Sequence, residues 1–122
     1  FILKRRKIAR FYTDGLKDSG LLLPIINKHN KHVFHLFTVY HPKREKILKK
    51  LNKKKISVRI VYPYPIHLMS GYKNLIKDQK KNKLPNTEKM YKGIFSLPLY
   101  PNLSISKVKK TIKELNSILK KI

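Results

Sequence analysis

The sequence predicts a small α/β domain of the α+β kind, a small sheet with helices packed on it, formed by residues 1–122 as one unit. Three observations carry this. The chain has 122 residues, enough for one modest core. Apolar residues recur at three- and four-residue spacing near both ends, and short β-branched and aromatic runs lie between them. No internal repeat or domain linker interrupts the order helix, strand, helix, strand, loop, helix, short strand, helix, which suits a two-layer sandwich.

Residues 2–18 read as the first helix, with Ile8, Tyr12 and Leu16 on one stripe and Phe11 beside it. Gly20 suits its stop, LLLP at 21–24 leaves the turn, and NKHNKH at 27–32 is polar and turn-like. Residues 33–40 (VFHLFTVY) are apolar on both alternating faces, which predicts a strand covered on both sides. Pro42 fits the first position of a helix running to Asn52, with Ile47, Leu48 and Leu51 inward. A second strand is expected over 57–62 (SVRIVY).

Residues 62–72 (YPYPIHLMSGY) cannot continue as a central strand. Pro63 and Pro65 lack ladder donors and bias their predecessors to extended geometry, so a stiff extended loop is expected. The Lys/Asn-rich stretch 73–84 should be exposed. Pro85 and Asn86 open a helix to about Ile94, Ser96–Leu99 is a short extended piece, and Pro101 turns the chain. Ser104 is the expected N-cap of a last helix in which Ile105, Val108, Ile112, Leu115, Leu119 and Ile122 form the inward face.

Charge and chemistry narrow the function. The formal charge of +24 raises a lysine-rich RNA- or polyanion-binding module as one reading. Against it, only Arg5, Arg6, Arg10, Arg44 and Arg59 supply the planar fork that specific phosphate and base recognition favours. Aromatic residues are not interleaved with the Lys4–Lys7 or Lys50–Lys55 runs at stacking spacing. No specific nucleic-acid partner is therefore expected, and the lysines read as solvated faces. The carboxylates Asp14, Asp18, Glu45, Asp78, Glu88 and Glu114 have no spacing that pairs them for acid–base work. His29, His32 and His35 lack acidic or thiolate company, so no metal site is expected. No P-loop, serine-elbow or cysteine-nucleophile pattern occurs. Nothing singles out one lysine for Schiff-base chemistry, and no catalytic residue is assigned. No apolar run reaches membrane-span length, so no membrane partner is expected. The absence of cysteine fits a reducing, cytoplasmic setting. Phe1 runs straight into a helical segment without an initiator Met, which is how a piece cut from a longer protein looks.

The proline loop carries a resemblance. YPYPIHLMSGY is similar to the H-Y-P-x-P-x-H-L-x-P-x-Y motif of the DegT/DnrJ/EryC1/StrS sugar aminotransferases, matching Tyr62, Pro63, Pro65, His67, Leu68 and Tyr72. PNTEKMYKGIFSLPLYPNL at 85–103 resembles the family's P-x-A-E and S-L-P-x-x-P-x-L run through Pro85, Glu88, Ser96, Leu97, Pro98, Pro101 and Leu103. RRKIARFYTDGL looks like the family's opening helix, and His35 in VFHLFTVY is similar to its H-x-Y/F-x-V strand. Three departures stand out: Val61 where many members have His, Ser70-Gly71 where Pro is common, and Lys53–Lys55 where a Gly turn is usual.

The resemblance implies the small C-terminal domain of a type I aminotransferase fold, with the large domain and its pyridoxal 5'-phosphate (PLP) lysine outside this chain. It implies a homodimer that moves an amino group from glutamate to a nucleotide-linked keto sugar, in surface-polysaccharide or amino-sugar biosynthesis. By the same resemblance His67, Tyr62 and Tyr72 are the substrate-binding candidates, and the isolated piece should be inactive. A non-catalytic family remnant is a further alternative. A loop stiffened by two prolines holds side chains at low entropic cost, and phenols and an imidazole suit sugar hydroxyls, a diphosphate and ring faces.

Overall fold

The structure, a computed structural model, describes residues 1–72 and 83–122. Among the described residues, four α-helices and two strands follow one another as α1 (Ile2–Leu16), β1 (Phe37–Tyr40), α2 (Arg44–Lys53), α3 (Pro85–Tyr91), β2 (Ile94–Leu97) and α4 (Ile105–Leu119). The α+β architecture is as expected.

Helix α1 buries Ile8, Ala9, Tyr12 and Leu16, a stripe at the helical period. It packs on α4, whose Val108, Thr111, Leu115 and Ile118 are buried. Ser104 caps α4 by accepting from the Lys107 N–H at 3.4 Å. Tyr12 occupies the centre: its ring lies 5.1 Å from Phe37 and its hydroxyl donates to the Pro98 carbonyl at 2.9 Å. Burial pushes that phenol up to about 12, against an opposing hydrogen bond from Thr111. Asn116 of α4 donates to the Gly15 carbonyl at 3.0 Å. Helix α2 completes the layer with Ile47 and Leu51.

The strands pair antiparallel, with Phe37 opposite Leu97 and Val39 opposite Phe95. These four side chains face the helices and are buried. The other face of β1 carries Thr38 and Tyr40, both half-exposed. The expectation of a strand covered on both sides is therefore corrected: one face meets the helices, and the opposite face is half open. On that open face the Thr38 and Ser96 hydroxyls are hydrogen-bonded across the strands at 2.9 Å. The strand also starts later than expected, at Phe37. Phe34 takes a positive φ of 49°, and Arg5 donates to the Phe34 and His35 carbonyls, holding that stretch as a loop.

The expected strand over 57–62 contracts to one bridge. Arg59 N–H donates to Ser96 O at 3.2 Å, and Ser96 N–H donates to Arg59 O at 2.8 Å. Lys55 at φ 55° ends the preceding turn, and Pro63 and Pro65 remove the donors beyond Val61, so any pairing is confined to a few residues. A matching bridge joins Leu22 to Tyr40 at the other edge. The sheet is thus two strands flanked by single-residue pairings.

Two helix boundaries also move. Pro42 sits in the turn before α2, which begins at Arg44. Helix α3 ends at Tyr91 rather than Ile94, because the buried Gly93 turns the chain into β2. A Cβ at Gly93 would lie 2.8 Å from the His41 carbonyl oxygen and against the Tyr40 ring, so glycine alone fits this approach. Arg44 secures the junction by donating to the Tyr91 carbonyl at 2.7 Å and the Ile94 carbonyl at 3.2 Å. Most of the stretch expected to be exposed, 73–82, lies outside the described residues; Lys83 and Leu84 are exposed.

Candidate functional site

Residues 57–65 run along the edge of the sheet beside β2. Arg59 is fixed there by its bridge to Ser96, and the chain runs extended to Pro65 (φ −73°, ψ 141°). Side chains alternate along such a segment. Ser57, Arg59 and Val61 line one groove with Leu36, Leu99 and Tyr100. Tyr62, Tyr64 and Pro65 line another, about 340 Å³, whose far wall is Asn86, Thr87, Met90 and Tyr91 of α3 with Ile94.

Beyond Pro65 the loop is less extended than expected. It folds into two 3₁₀ turns, Ile66–Leu68 and Ser70–Tyr72, closed by hydrogen bonds from Leu68 N–H to Pro65 O (3.0 Å), Met69 N–H to Ile66 O (3.1 Å) and Tyr72 N–H to Met69 O (3.0 Å). Pro65 supplies the preset φ and a free carbonyl for the first turn. Pro65 is buried, and the side chains around it are not: Val61, Tyr62, Tyr64, Ile66, Leu68, Met69 and Tyr72 are all exposed. So dense a run of exposed apolar and aromatic side chains marks a surface that meets something else.

The three candidate binding residues occupy different settings. Tyr62 lines the α3 groove and is 64% exposed. Tyr72 is exposed at the end of the second turn. His67 differs from both: its side chain is only 13% exposed, and its Nε2 lies 3.2 Å from Glu88 Oε1 on α3. Tyr62 and His67 therefore approach the same short helix, one through an open groove and one through a direct bond. Glu88 also accepts from the Leu84 N–H at 3.2 Å, satisfying an orphan donor at the start of α3. The His67 bond, the Leu84 bond and the charge of Lys92 hold the Glu88 carboxyl below its ordinary range.

Sequence reasoning gave Glu88 no role. Its only signal was the match to an acidic motif position, and a separation of 21 residues from His67 has no periodic meaning.

The remaining histidines hold local structure. His32 Nδ1 accepts from the Phe34 N–H at 2.9 Å and its ring lies 4.2 Å from the Phe34 ring. His41 Nδ1 accepts from the Lys43 N–H at 3.1 Å. Burial and the neighbouring Lys43 lower the His41 pKa. His35, expected within a strand, is exposed just before β1 and offers its carbonyl to Arg5. Among the described residues no cluster of His, Asp and Glu could hold a metal ion. No described lysine is buried. Arg6 donates to the His32 and Lys31 carbonyls. With Arg5 and Arg44 also on carbonyls, three of the five arginines serve the fold. No described helix is long and apolar enough to cross a membrane.

With this geometry in view, known proteins are informative. A model described as the DegT/DnrJ/EryC1/StrS aminotransferase family matches residues 1–116. The dTDP-3-amino-3,4,6-trideoxy-alpha-D-glucose transaminase of Micromonospora megalomicea subsp. nigra is 42% identical over 108 residues, covering 84% of this chain and 28% of the relative. The dTDP-3-amino-3,6-dideoxy-alpha-D-galactopyranose transaminase of Aneurinibacillus thermoaerophilus is 29% identical, covering 93% and 30%. The structure of S. venezuelae DesV in complex with a ketimine intermediate superimposes with a TM-score of 0.92 at 26% identity, covering 100% of this chain and 33% of that one. NtdA from Bacillus subtilis with bound cofactor PMP superimposes at 0.80 and 27%, covering 96% and 28%. The chain thus spans about 30% of the length of the relatives it matches.

Proposed function

Since the chain belongs to the DegT/DnrJ/EryC1/StrS aminotransferase family, we propose that it is the small C-terminal domain of a sugar aminotransferase that moves an amino group from glutamate to a nucleotide-linked keto sugar. The observation that carries the reading is the proline loop. Pro63 and Pro65 hold Tyr62 and Tyr64 out on a groove whose other wall is α3, with Ile94 of β2 beside it. In that position the loop forms one wall of a substrate site, with Tyr62 and Tyr72 free to bond hydroxyls or phosphate oxygens and to stack on a ring.

The described residues do not fit a PLP anchor. A Schiff-base lysine works when it is drawn out of water, and every described lysine is exposed or half-exposed. The cofactor is accordingly assigned to a large domain outside these residues, and no step of the transamination is assigned to this chain. The domain's contribution is to bind, orient and exclude water. The exposed apolar run 61–72 supports a homodimer with the site at its interface. A cytoplasmic amino-sugar or surface-polysaccharide pathway completes the reading. The polyanion alternative draws on charge alone, with three of five arginines committed to backbone carbonyls.

The full-length protein, loaded with PLP and given glutamate and a panel of dTDP- and UDP-linked keto sugars, should yield an amino-sugar nucleotide. Tyr62→Ala should raise KM for the sugar nucleotide about ten-fold with a smaller change in kcat. No turnover with any member of the panel, or an unchanged KM in Tyr62→Ala and Tyr72→Ala alike, would refute the reading.

A further inference from the structure

We propose that Glu88 is a positioning residue that fastens the proline loop to α3 through His67, so that the two sequence motifs 62–72 and 85–103 act as one unit. The proposal rests on the loop being a wall of the substrate site. Among the described residues, the hydrogen bonds made by the loop's backbone stay within it: each joins residues three apart and shapes a turn without attaching it. The bond from His67 Nε2 to Glu88 Oε1, at 3.2 Å, is the one hydrogen bond among the described residues that joins 62–72 to another element. Its partners are sheltered, at 13% and 34% side-chain exposure, whereas the loop residues on either side of His67 are exposed. Glu88 is itself held by the Leu84 N–H, which fixes where its carboxylate presents the second lone pair. Pro85 at the start of α3 sets the helix direction and so the position of Glu88 one turn later.

The bond also changes what His67 can do. A carboxylate only accepts, so the nitrogen facing it must carry the proton. Neutral His67 is then the Nε2–H tautomer, with its lone pair on Nδ1. The residue expected to bind substrate has one nitrogen committed to the protein. Any bond it makes to substrate comes from Nδ1. The bonds from His67 and Leu84, with the charge of Lys92 one turn on, hold the Glu88 carboxyl below its ordinary range and so favour its ionised, accepting form.

The test reads the tautomer directly. Two-bond ¹⁵N–¹H correlation on the histidine-labelled full-length protein should show neutral His67 protonated at Nε2. Glu88→Gln, whose amide oxygen still accepts, should keep that tautomer and a near wild-type KM. Glu88→Ala should lose the tautomer preference and raise KM for the sugar nucleotide about five- to ten-fold, with kcat changed less than about two-fold. A dominant Nδ1–H tautomer in the wild type overturns the proposal, as does a Glu88→Ala protein with unaltered tautomer and KM. The tautomer needs no turnover, so failure of this fastening is distinguishable from failure of the substrate-wall reading, which Tyr62→Ala reports.

Discussion

Tyr12 and Tyr62 are the same residue type in opposed settings. Tyr12 is 0% exposed, tilted against Phe37 and hydrogen-bonded to a carbonyl 86 residues away. Tyr62 is 64% exposed on a loop whose own backbone bonds are local. The contrast extends to their neighbourhoods. Around Tyr12, three helices and the inner sheet face close on one another in one buried cluster. Around Tyr62, apolar side chains are displayed on a stiff support and left for another surface to cover. The chain therefore divides into a part whose side chains close on one another and a loop whose apolar side chains stay exposed.

The largest effect expected on that contrast is from Tyr12→Ala, which should cost about 3 to 5 kcal/mol in urea unfolding. A loss below about 1 kcal/mol would mean the helical half is not the stabilising one. The next test is alkaline pH. The Tyr12 phenol is pushed from 10.0 up to about 12 by burial, so the folded chain holds this proton more tightly than the unfolded chain. Its contribution is fully present below pH 10 and lost as pH rises toward 12. The decline should amount to about 2 to 3 kcal/mol, and Tyr12→Phe should lack it. Gly93→Ala should cost about 1 to 3 kcal/mol, because its Cβ meets the Tyr40 ring and the His41 carbonyl at the joint between the halves. The smallest effect should be from Tyr62→Ala, within about 0.5 kcal/mol of wild type in the same unfolding assay. A substantial loss there would erase the division.

Legibility in the sequence follows the same line. Periodicity located α1 and α4 and named most of their buried faces, because a stripe on a packed helix leaves a regular trace. It failed where one contact decides. The strand expected over 57–62 has the right residue types, yet two following prolines and a left-handed Lys55 leave it a single bridge. Position 93 must be glycine because of the bulk of a side chain 53 residues earlier, which no local window contains. In the loop, the break in regular strand pairing at Pro63 and Pro65 was legible because a missing donor and a fixed φ are local properties. The Glu88 partner of His67 was not, since a pairing between a loop and a helix start has no period. Arg5 and Arg6 read as surface charge in the sequence, and in the fold they hold up the chain from Lys31 to His35.

The bond from Asn116 to Gly15 spans 101 positions, and α1 finds its principal helical partner only in α4. Time enters through that separation. A ribosome adding roughly 5 to 20 residues per second would expose the stripe of Ile8, Tyr12 and Leu16 for about 5 to 20 seconds before α4 could cover it. Nascent chains would have to be shielded over that interval. Truncations that remove α4 should appear in cells as aggregates or degradation products, since α1 would wait for a partner that never arrives.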